Sequence, residues 1–251
     1  MTEPLTVIDT FSGIGGFSYA AEKLVGGFKT VAFVECEPYC QKVLKKHWPD
    51  VPIYDDIKTY EPKPYSADVI CGGFPCQDIS VAGQGKGITE ETRSGLFYEL
   101  MRVILLVRPK YIVLENVAAI LNNGLGIVLG ELAKAGFDCE WACIPASALG
   151  ACHQRDRWWL IAYPSIIGVE RSRESREQIK PKDERQKLSK WRYERNLLSS
   201  EWRRYTSKPV LRRGDDGLSN RIHRLKALGN SICPQVAAIP LQRVLDIDRD
   251  A

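Results

Sequence analysis

Four short apolar runs, separated by helical patterns, constrain the fold of this chain more than any other feature. They lie at residues 5–8, 30–34, 67–71 and 111–114. Apolar runs of this length, bounded by turn residues, are typical of strands that are buried on both faces of a parallel sheet. Helical patterns lie between them at residues 16–25, 38–47 and 96–107. The alternation predicts an α/β protein with a mixed, mostly parallel sheet and helices on both faces.

The turn after the third run holds the first candidate for chemistry. Gly72 and Gly73 end the run, and Pro75 fixes the backbone just before Cys76. Open α/β sheets bind their ligands beyond the carboxyl ends of the strands, where this turn is expected to lie. Cys76 is therefore a candidate thiolate nucleophile. The alternative is a small buried apolar residue, which is what most free cysteines are.

Carboxylates recur at the predicted strand ends, at Asp9, Glu35 and Glu115. Glu35 lies about twenty residues after a glycine turn at residues 13–16, where folds of this type hydrogen-bond a ribose hydroxyl. The glycines of that turn have the spacing G-x-G-G and lack the third glycine of the dinucleotide fingerprint. This spacing disfavours a pyrophosphate ligand, and with it a nicotinamide-dependent oxidoreductase.

Basic charge is concentrated in one late segment, residues 163–225. It holds 17 Lys and Arg against 9 Asp and Glu, a net charge of +8, whereas the rest of the chain carries −4. Aromatic residues are interleaved with the basic ones, at Trp191, Tyr193, Trp202 and Tyr205. This composition favours a nucleic-acid surface, with phosphate contacts and base stacking, and a solvated charged insertion is the alternative.

Arg155 and Arg157 precede an apolar run at residues 158–162. Their alternation predicts that both guanidinium groups lie on one face, where they suit a planar acceptor or a phosphate.

The eight cysteines include no C-x-x-C pair and follow no secretory signal, which predicts reduced thiols in a cytoplasmic protein. The pairs Cys36/Cys40 and Cys139/Cys143 have a spacing unlike that of the usual zinc modules, so no metal site is predicted. No apolar run reaches the roughly 18 residues that suggest a membrane span.

Five motifs, in order along the chain, resemble those of the C5-cytosine DNA methyltransferases. Residues 9–16 resemble the S-adenosylmethionine loop of that family, and Gly73-Phe74-Pro75-Cys76-Gln77 resembles its nucleophile loop. The later matches are Glu115-Asn116-Val117, Arg155-Asp156-Arg157 and Leu228-Gly229-Asn230-Ser231. Because the motifs occur together and in the family's order, the resemblance is far more specific than any one of them.

The resemblance implies a Rossmann-like, S-adenosylmethionine-dependent methyltransferase fold. The catalytic and cofactor-binding domain is expected at residues 1–162 and is completed by residues 226–251, with a small basic target-recognition region at residues 163–225. The implied reaction transfers a methyl group from S-adenosylmethionine to carbon 5 of a flipped cytosine in double-stranded DNA. It passes through a covalent bond between Cys76 and carbon 6, and it leaves S-adenosylhomocysteine.

By resemblance, the catalytic roles carry over to Cys76, Glu115, Arg155 and Arg157. The cofactor contacts carry over to Phe11, Gly13, Ile14, Gly16, Glu35, Asp56, Ile57, Pro75, Leu96, Asn230 and Ile232. We expect a cytoplasmic monomer in a bacterial or phage-infected cell, and a cognate restriction endonuclease is a partner that the resemblance suggests.

Two other functions are compatible with the same fold. The tRNA-methylating branch of the family carries a Cys-Phe-Thr tripeptide that is missing between residues 163 and 225, which disfavours a tRNA substrate. A non-catalytic DNA-binding protein that retains the fold is disfavoured by the intact set of Cys76, Glu115 and the two arginines.

Overall fold

The computed structural model describes residues 3–75, 95–151, 153–165 and 227–250. Its strands are β1 (Leu5–Thr10), β2 (Phe28–Val34), β3 (Ile53–Tyr54), β4 (Val69–Gly72), β5 (Tyr111–Val117), β6 (Phe137–Pro145) and β7 (Asp156–Pro164). Its α-helices are α1 (Gly16–Tyr19), α2 (Pro38–His47), α3 (Leu96–Val107), α4 (Ile120–Asn123), α5 (Leu125–Lys134) and α6 (Pro234–Asp250). A π-helix (Ala20–Val25) continues α1, and a 3₁₀ helix (Ala146–Leu149) follows β6.

The strands form one sheet in the order β3-β2-β1-β4-β5-β7-β6. The first five strands of this order are parallel, and β7 runs antiparallel to both β5 and β6. The predicted mixed, mostly parallel sheet is confirmed. Because parallel strands share one direction, the loops after β1, β2, β4 and β5 all leave the same edge of the sheet.

Successive residues of the central strands enter different cores, because side chains alternate across a strand. Ile8 and Ile70 face a core that α3 and α5 cover, whereas Val7 and Val69 face a core that α1 and α6 cover. All four of these side chains are almost completely buried. Both faces of the sheet are therefore covered by helices, as the continuous apolar runs predict.

The last helix, α6, packs on the sheet after a long interval in the sequence. Its Arg243 pairs with Glu140 of β6 at 2.9 Å, and its Asp248 accepts a hydrogen bond from the Tyr111 hydroxyl of β5. The helix continues to Asp250. The segment at residues 163–225 lies outside the described residues, apart from its first three, so its predicted role as a target-recognition region stays a prediction.

Local structure differs from expectation at three places. The helix after the glycine turn changes to a π-helix at Ala20, and the short helix α4 was not predicted. A 3₁₀ helix stands where a turn was expected at residues 147–150. Cys139 and Cys143 do share one face of β6, where both pack against the core under α3 and α5.

Within the described ranges, no helix combines the length and the apolar character needed to cross a lipid bilayer. The same ranges contain no cluster of three His, Cys, Asp or Glu side chains arranged to hold a metal ion.

Asp9 is a fully buried carboxyl in the middle of the sheet, and its ionisation makes the stability of the fold depend on pH. Its Oδ2 accepts hydrogen bonds from the backbone and the hydroxyl of Ser18, whereas its Oδ1 has no hydrogen-bond partner among the described residues. Burial raises the pKa of Asp9 from 3.8 to about 7, and the Ser18 donors oppose the rise. The unfolded chain therefore releases this proton at a lower pH than the folded chain, so ionisation of Asp9 favours unfolding as the pH rises from 4 to 7.

We expect Asp9→Asn to remove this dependence, because the amide does not titrate. The free energy of unfolding of the variant, relative to the unmodified protein, should rise by about 4 kcal/mol between pH 4 and pH 7. Urea unfolding of both proteins at four pH values measures this difference. A difference that stays constant with pH would show that Asp9 is ionised in the folded protein throughout the range.

Candidate active site

A cavity of about 310 Å³ opens at the edge of the sheet where β1, β2, β4 and β5 end. Its walls come from the loops after these strands, from the start of β7 and from the segment before α6. The lining residues are Phe11, Gly13, Glu35, Cys36, Glu37, Cys40, Gly73, Phe74, Pro75, Glu115, Asn116, Val117, Arg155, Arg157, Ala227, Gly229 and Asn230. Residues that are far apart in the sequence thus meet at the strand ends, as open α/β sheets require.

The loop after β1 is shaped by positive φ angles. Phe11 has a φ of 51°, which is uncommon for a residue with a side chain, and Gly13 has a φ of 55°. The turn directs the amide of Gly13 at Glu35, whose Oε2 accepts its hydrogen bond at 2.7 Å. Next to it, the amide of Ser12 donates to the carbonyl of Val34. The glycine turn is therefore fastened to the end of β2.

Glu35 has acceptor capacity left for a ligand. Its Oε2 accepts from Gly13 and its Oε1 accepts from the amide of Glu37, also at 2.7 Å. Each carboxylate oxygen has a second lone pair, so a hydroxyl in the cavity can still donate to it. Burial raises the pKa of Glu35, and the backbone donors oppose that rise. The position and the free lone pairs suit the ribose contact predicted from the spacing to the glycines.

Glu115 and Arg157 form a partly buried ion pair on the opposite wall. The Nε of Arg157 lies 2.8 Å from Oε1 of Glu115, and these side chains are 23% and 13% exposed, respectively. Burial raises the pKa of Glu115, while the positive charges of Arg157 and Arg155 oppose the rise. Glu115 is thus a carboxyl that can carry a proton more readily than an ordinary glutamate and that faces a ligand cavity.

The backbone before Cys76 is held by Asn116, which is almost fully buried. Its Nδ2 donates to the carbonyl of Phe74, and its Oδ1 accepts from the amide of Val117. The side chain therefore ties the end of β5 to the turn that leads into Pro75. Asn116 belongs to the Glu115-Asn116-Val117 motif, but no role was predicted for it. Its place in that motif could have marked it as a site residue. Cys76 lies outside the described residues.

Two glycines at the end of β4 allow close approaches. A Cβ at Gly72 would lie 2.6 Å from Oγ1 of Thr10, a hydroxyl that donates to the carbonyl of Cys71 at 2.8 Å. A Cβ at Gly73 would lie 3.1 Å from Oε2 of Glu115. Gly73 therefore leaves room for the carboxylate beside the turn.

Arg155 lines the cavity but is not part of the strand that carries Arg157. Strand β7 begins at Asp156, and Arg155 has a φ of 39°. Arg155 therefore precedes the strand and Arg157 lies within it, and both side chains line the same cavity. The guanidinium of Arg155 donates to the carbonyls of Gly229 and Ser231, at 3.2 and 2.6 Å.

The residues predicted to contact a cofactor fall into two groups. Phe11, Gly13, Glu35, Pro75 and Asn230 line the cavity. The other six are not among its described lining residues: Ile14 and Leu96 are partly buried, Asp56 is exposed, Ile57 is buried in the core, and Gly16 and Ile232 pack against each other. All eleven cofactor contacts stay predictions. Cys36, Glu37 and Cys40 also line the cavity but were not predicted to contact a ligand. Cys36 and Glu37 lie in the loop between β2 and α2, and Cys40 lies on α2.

A family model for C-5 cytosine-specific DNA methylases matches residues 5–208. The chain belongs to this family. It is 34% identical over 178 residues to the type II methyltransferase M.HpaII of Haemophilus parainfluenzae, a match that covers 67% of this chain and 49% of that protein. It is 35% identical over 158 residues to M.CviJI of a Paramecium bursaria Chlorella virus, covering 62% and 42%. The chain thus spans about half the length of the curated relatives it matches.

Solved structures have the same fold at lower identity. A putative DNA modification methyltransferase encoded within an Escherichia coli prophage matches with a TM-score of 0.52 and 24% identity, over 64% of this chain and 47% of that one. The Dnmt2 methyltransferase of S. pombe matches with a TM-score of 0.53 and 20% identity, over 65% and 52%. These matches confirm the predicted methyltransferase-type fold.

We expect Gly72→Ala to destabilise the protein, because the added methyl group collides with Thr10 and disturbs its buried hydrogen bond. Overpacking and the weakened hydrogen bond together should cost about 2–4 kcal/mol of unfolding free energy. Gly130→Ala is the control, since nothing lies within 4 Å of a Cβ at that helical position. The control should stabilise by about 0.5–1 kcal/mol. Equal stabilities of the two variants in chemical denaturation would contradict the close approach at Gly72.

Proposed function

We propose that this protein is a DNA cytosine-5 methyltransferase that uses S-adenosylmethionine and acts through a covalent bond between Cys76 and carbon 6 of the target cytosine. The observation that carries the proposal is the Glu115–Arg157 pair at 2.8 Å. This pair lines one cavity together with Pro75, Gly13 and Glu35. Pro75 is the residue directly before Cys76. One cavity is therefore lined by the residue that precedes the proposed nucleophile, by the proposed proton donor and by the proposed cofactor wall.

Carbon 5 of cytosine is a poor nucleophile, and the role of Cys76 is to activate it. The thiolate adds to carbon 6 and forms a carbon–sulfur bond, which breaks the conjugation of the ring and makes carbon 5 enamine-like. After carbon 5 has taken the methyl group, its proton leaves as the bond between carbon 6 and Cys76 breaks. This loss releases 5-methylcytosine and regenerates the thiolate.

Glu115 supports the addition step. Negative charge grows on the ring as sulfur adds, and a carboxyl at N3 relieves it by donating a proton or a hydrogen bond. The raised pKa of Glu115 favours the protonated form that this role needs. Arg157 holds the carboxyl in place through Nε and donates from Nη1 to the carbonyl of Asp156, which leaves Nη2 for the O2 edge of the base or a flanking phosphate.

The cavity fits the cofactor that the family implies. Glu35 offers acceptor lone pairs for ribose hydroxyls, and the carboxylates of Glu35 and Glu37 give this wall the negative charge that suits a sulfonium. Phe11 adds a partly buried aromatic surface to the same wall. When bound, S-adenosylmethionine supplies the electrophilic methyl group.

Double-stranded DNA is the proposed substrate. The basic, aromatic-rich segment at residues 163–225 suits phosphate contacts, and the target base must leave the stack to reach Cys76. A monomer acting beside a cognate restriction endonuclease is the biological setting we propose. Comparing methyl incorporation into duplex DNA and tRNA tests the substrate, and bisulfite sequencing of DNA from cells that express the chain identifies the target. Incorporation into tRNA alone would overturn the proposal.

We expect Cys76→Ser to abolish methyl transfer while DNA affinity stays within about threefold, because binding depends on the basic segment. Radiolabelled methyl incorporation and a DNA-binding titration measure the two effects. An oligonucleotide with 5-fluorocytosine at the target should trap the unmodified protein covalently, since fluorine blocks the final elimination. Turnover by the serine variant, or release of the fluorinated DNA, would remove Cys76 from this role.

We expect Glu115→Gln to lower the single-turnover rate by about a hundredfold or more, the scale of lost acid–base catalysis. Glutamine keeps the shape of the side chain but has no proton to give to N3. The S-adenosylhomocysteine affinity of the same variant serves as a control for folding and should stay close to that of the unmodified protein. A near-normal chemical rate would assign the proton donor elsewhere.

A further inference from the structure

We propose that Arg155 is a positioning residue for the cofactor: it holds residues 229–232 against the cavity, and it does not itself contact DNA or the target base. The inference deepens the proposed function and rests on it in one respect, since the ligand that the segment helps to bind is taken to be S-adenosylmethionine or its product. It reassigns an arginine that the family motif would place with the catalytic residues.

Two of the five N–H donors of Arg155 are already used within the protein. Its two terminal nitrogens donate to the carbonyls of Ser231 and Gly229, at 2.6 and 3.2 Å. Asn230 lies between these two acceptors in the sequence and lines the cavity. Arg157, by contrast, pairs with Glu115 through Nε. The two arginines therefore act on different partners although they are two residues apart.

The far end of the same segment is fixed by packing. A Cβ at Gly16 would lie 3.1 Å from both Cβ and the carbonyl oxygen of Ile232, and a Cβ at Gly73 would lie 3.6 Å from its Cδ1. Ile232 is thus seated between the loop after β1 and the turn after β4. Because the β1 loop is the one fastened to Glu35, the segment stands on the cofactor side of the cavity.

Local contacts alone hold this segment weakly. The amide and the hydroxyl of Ser231 both donate to the carbonyl of Leu228, at 3.3 and 2.8 Å. Leu228 is itself 57% exposed. Among the described residues, the two charge-assisted hydrogen bonds from Arg155 are therefore the polar connection between residues 229–231 and the turn before β7.

The backbone of Arg155 supports a specific role. Its φ of 39° is a conformation that side-chain-bearing residues rarely adopt, and such strain persists where the surroundings require it. The conformation lets the guanidinium reach the carbonyls of 229 and 231 from the turn before β7.

The experiment compares Arg155→Ala and Arg155→Lys with the unmodified protein. Arg108→Ala is the matched control, because Arg108 also has a positive φ, 54°, but its guanidinium donates to the exposed hydroxyl of Tyr65, away from the cavity. Isothermal titration with S-adenosylhomocysteine, without DNA, gives cofactor affinity. Hydrogen exchange of ligand-free protein measures protection of the amides at residues 229–232. A DNA titration at saturating S-adenosylhomocysteine gives DNA affinity.

We expect Arg155→Ala to bind S-adenosylhomocysteine at least tenfold more weakly and to exchange these amides faster. Its DNA affinity at saturating S-adenosylhomocysteine should stay within about threefold of that of the unmodified protein. Lysine, which can reach one carbonyl but not both, should give an intermediate affinity, and Arg108→Ala should change neither quantity.

Unchanged cofactor affinity and unchanged exchange in Arg155→Ala would overturn the inference. A loss of DNA affinity with normal cofactor binding would also overturn it, by assigning Arg155 to the substrate. If the unmodified protein binds no S-adenosylhomocysteine, the proposed function fails, and the exchange measurement still decides whether Arg155 holds the segment. Thermal melting of each variant separates these outcomes from misfolding, with the lysine variant as the milder substitution.

Discussion

The antiparallel pairing of β7 with β5 is the constraint on which the site depends. Its register sets Arg157 opposite Val117 and Trp159 opposite Glu115, so the arginine reaches back to the carboxylate across one strand spacing. The resulting ion pair is partly buried, and removing one partner from such a pair leaves the other charge without compensation in a poorly solvated place. A parallel strand at this position would carry its arginine to the opposite edge of the sheet.

Glycine determines how closely the parts of the site approach one another. The missing side chain leaves room for the hydroxyl of Thr10 at Gly72, for the carboxylate of Glu115 at Gly73, and for Ile232 at Gly16. Each contact joins two parts of the chain that are distant in the sequence. A side chain at any of these three glycines would crowd the partner that it now approaches.

Much of the fold could be predicted because its signals are local. Helix α2 begins at Pro38 and helix α3 ends at Val107, two residues before Pro109, and both limits follow from the backbone restrictions of proline. The central strands are apolar on both faces, which only a sheet covered by two helical layers can bury. The π-helix at Ala20 and the short helix α4 depend on packing against neighbours, and no periodicity in the sequence predicts them.

The sequence by itself determined the α/β architecture, the strand ends that carry chemistry and the five family motifs, because each of these is written in neighbouring residues. The tertiary structure decided which of those residues meet. In the folded chain Arg157, and not Arg155, pairs with Glu115. Arg155 instead donates hydrogen bonds to the carbonyls of Gly229 and Ser231, about 75 residues later in the chain. The physical reason is that partner choice depends on strand register and on a single positive φ angle, and neither is a property of residue type or spacing.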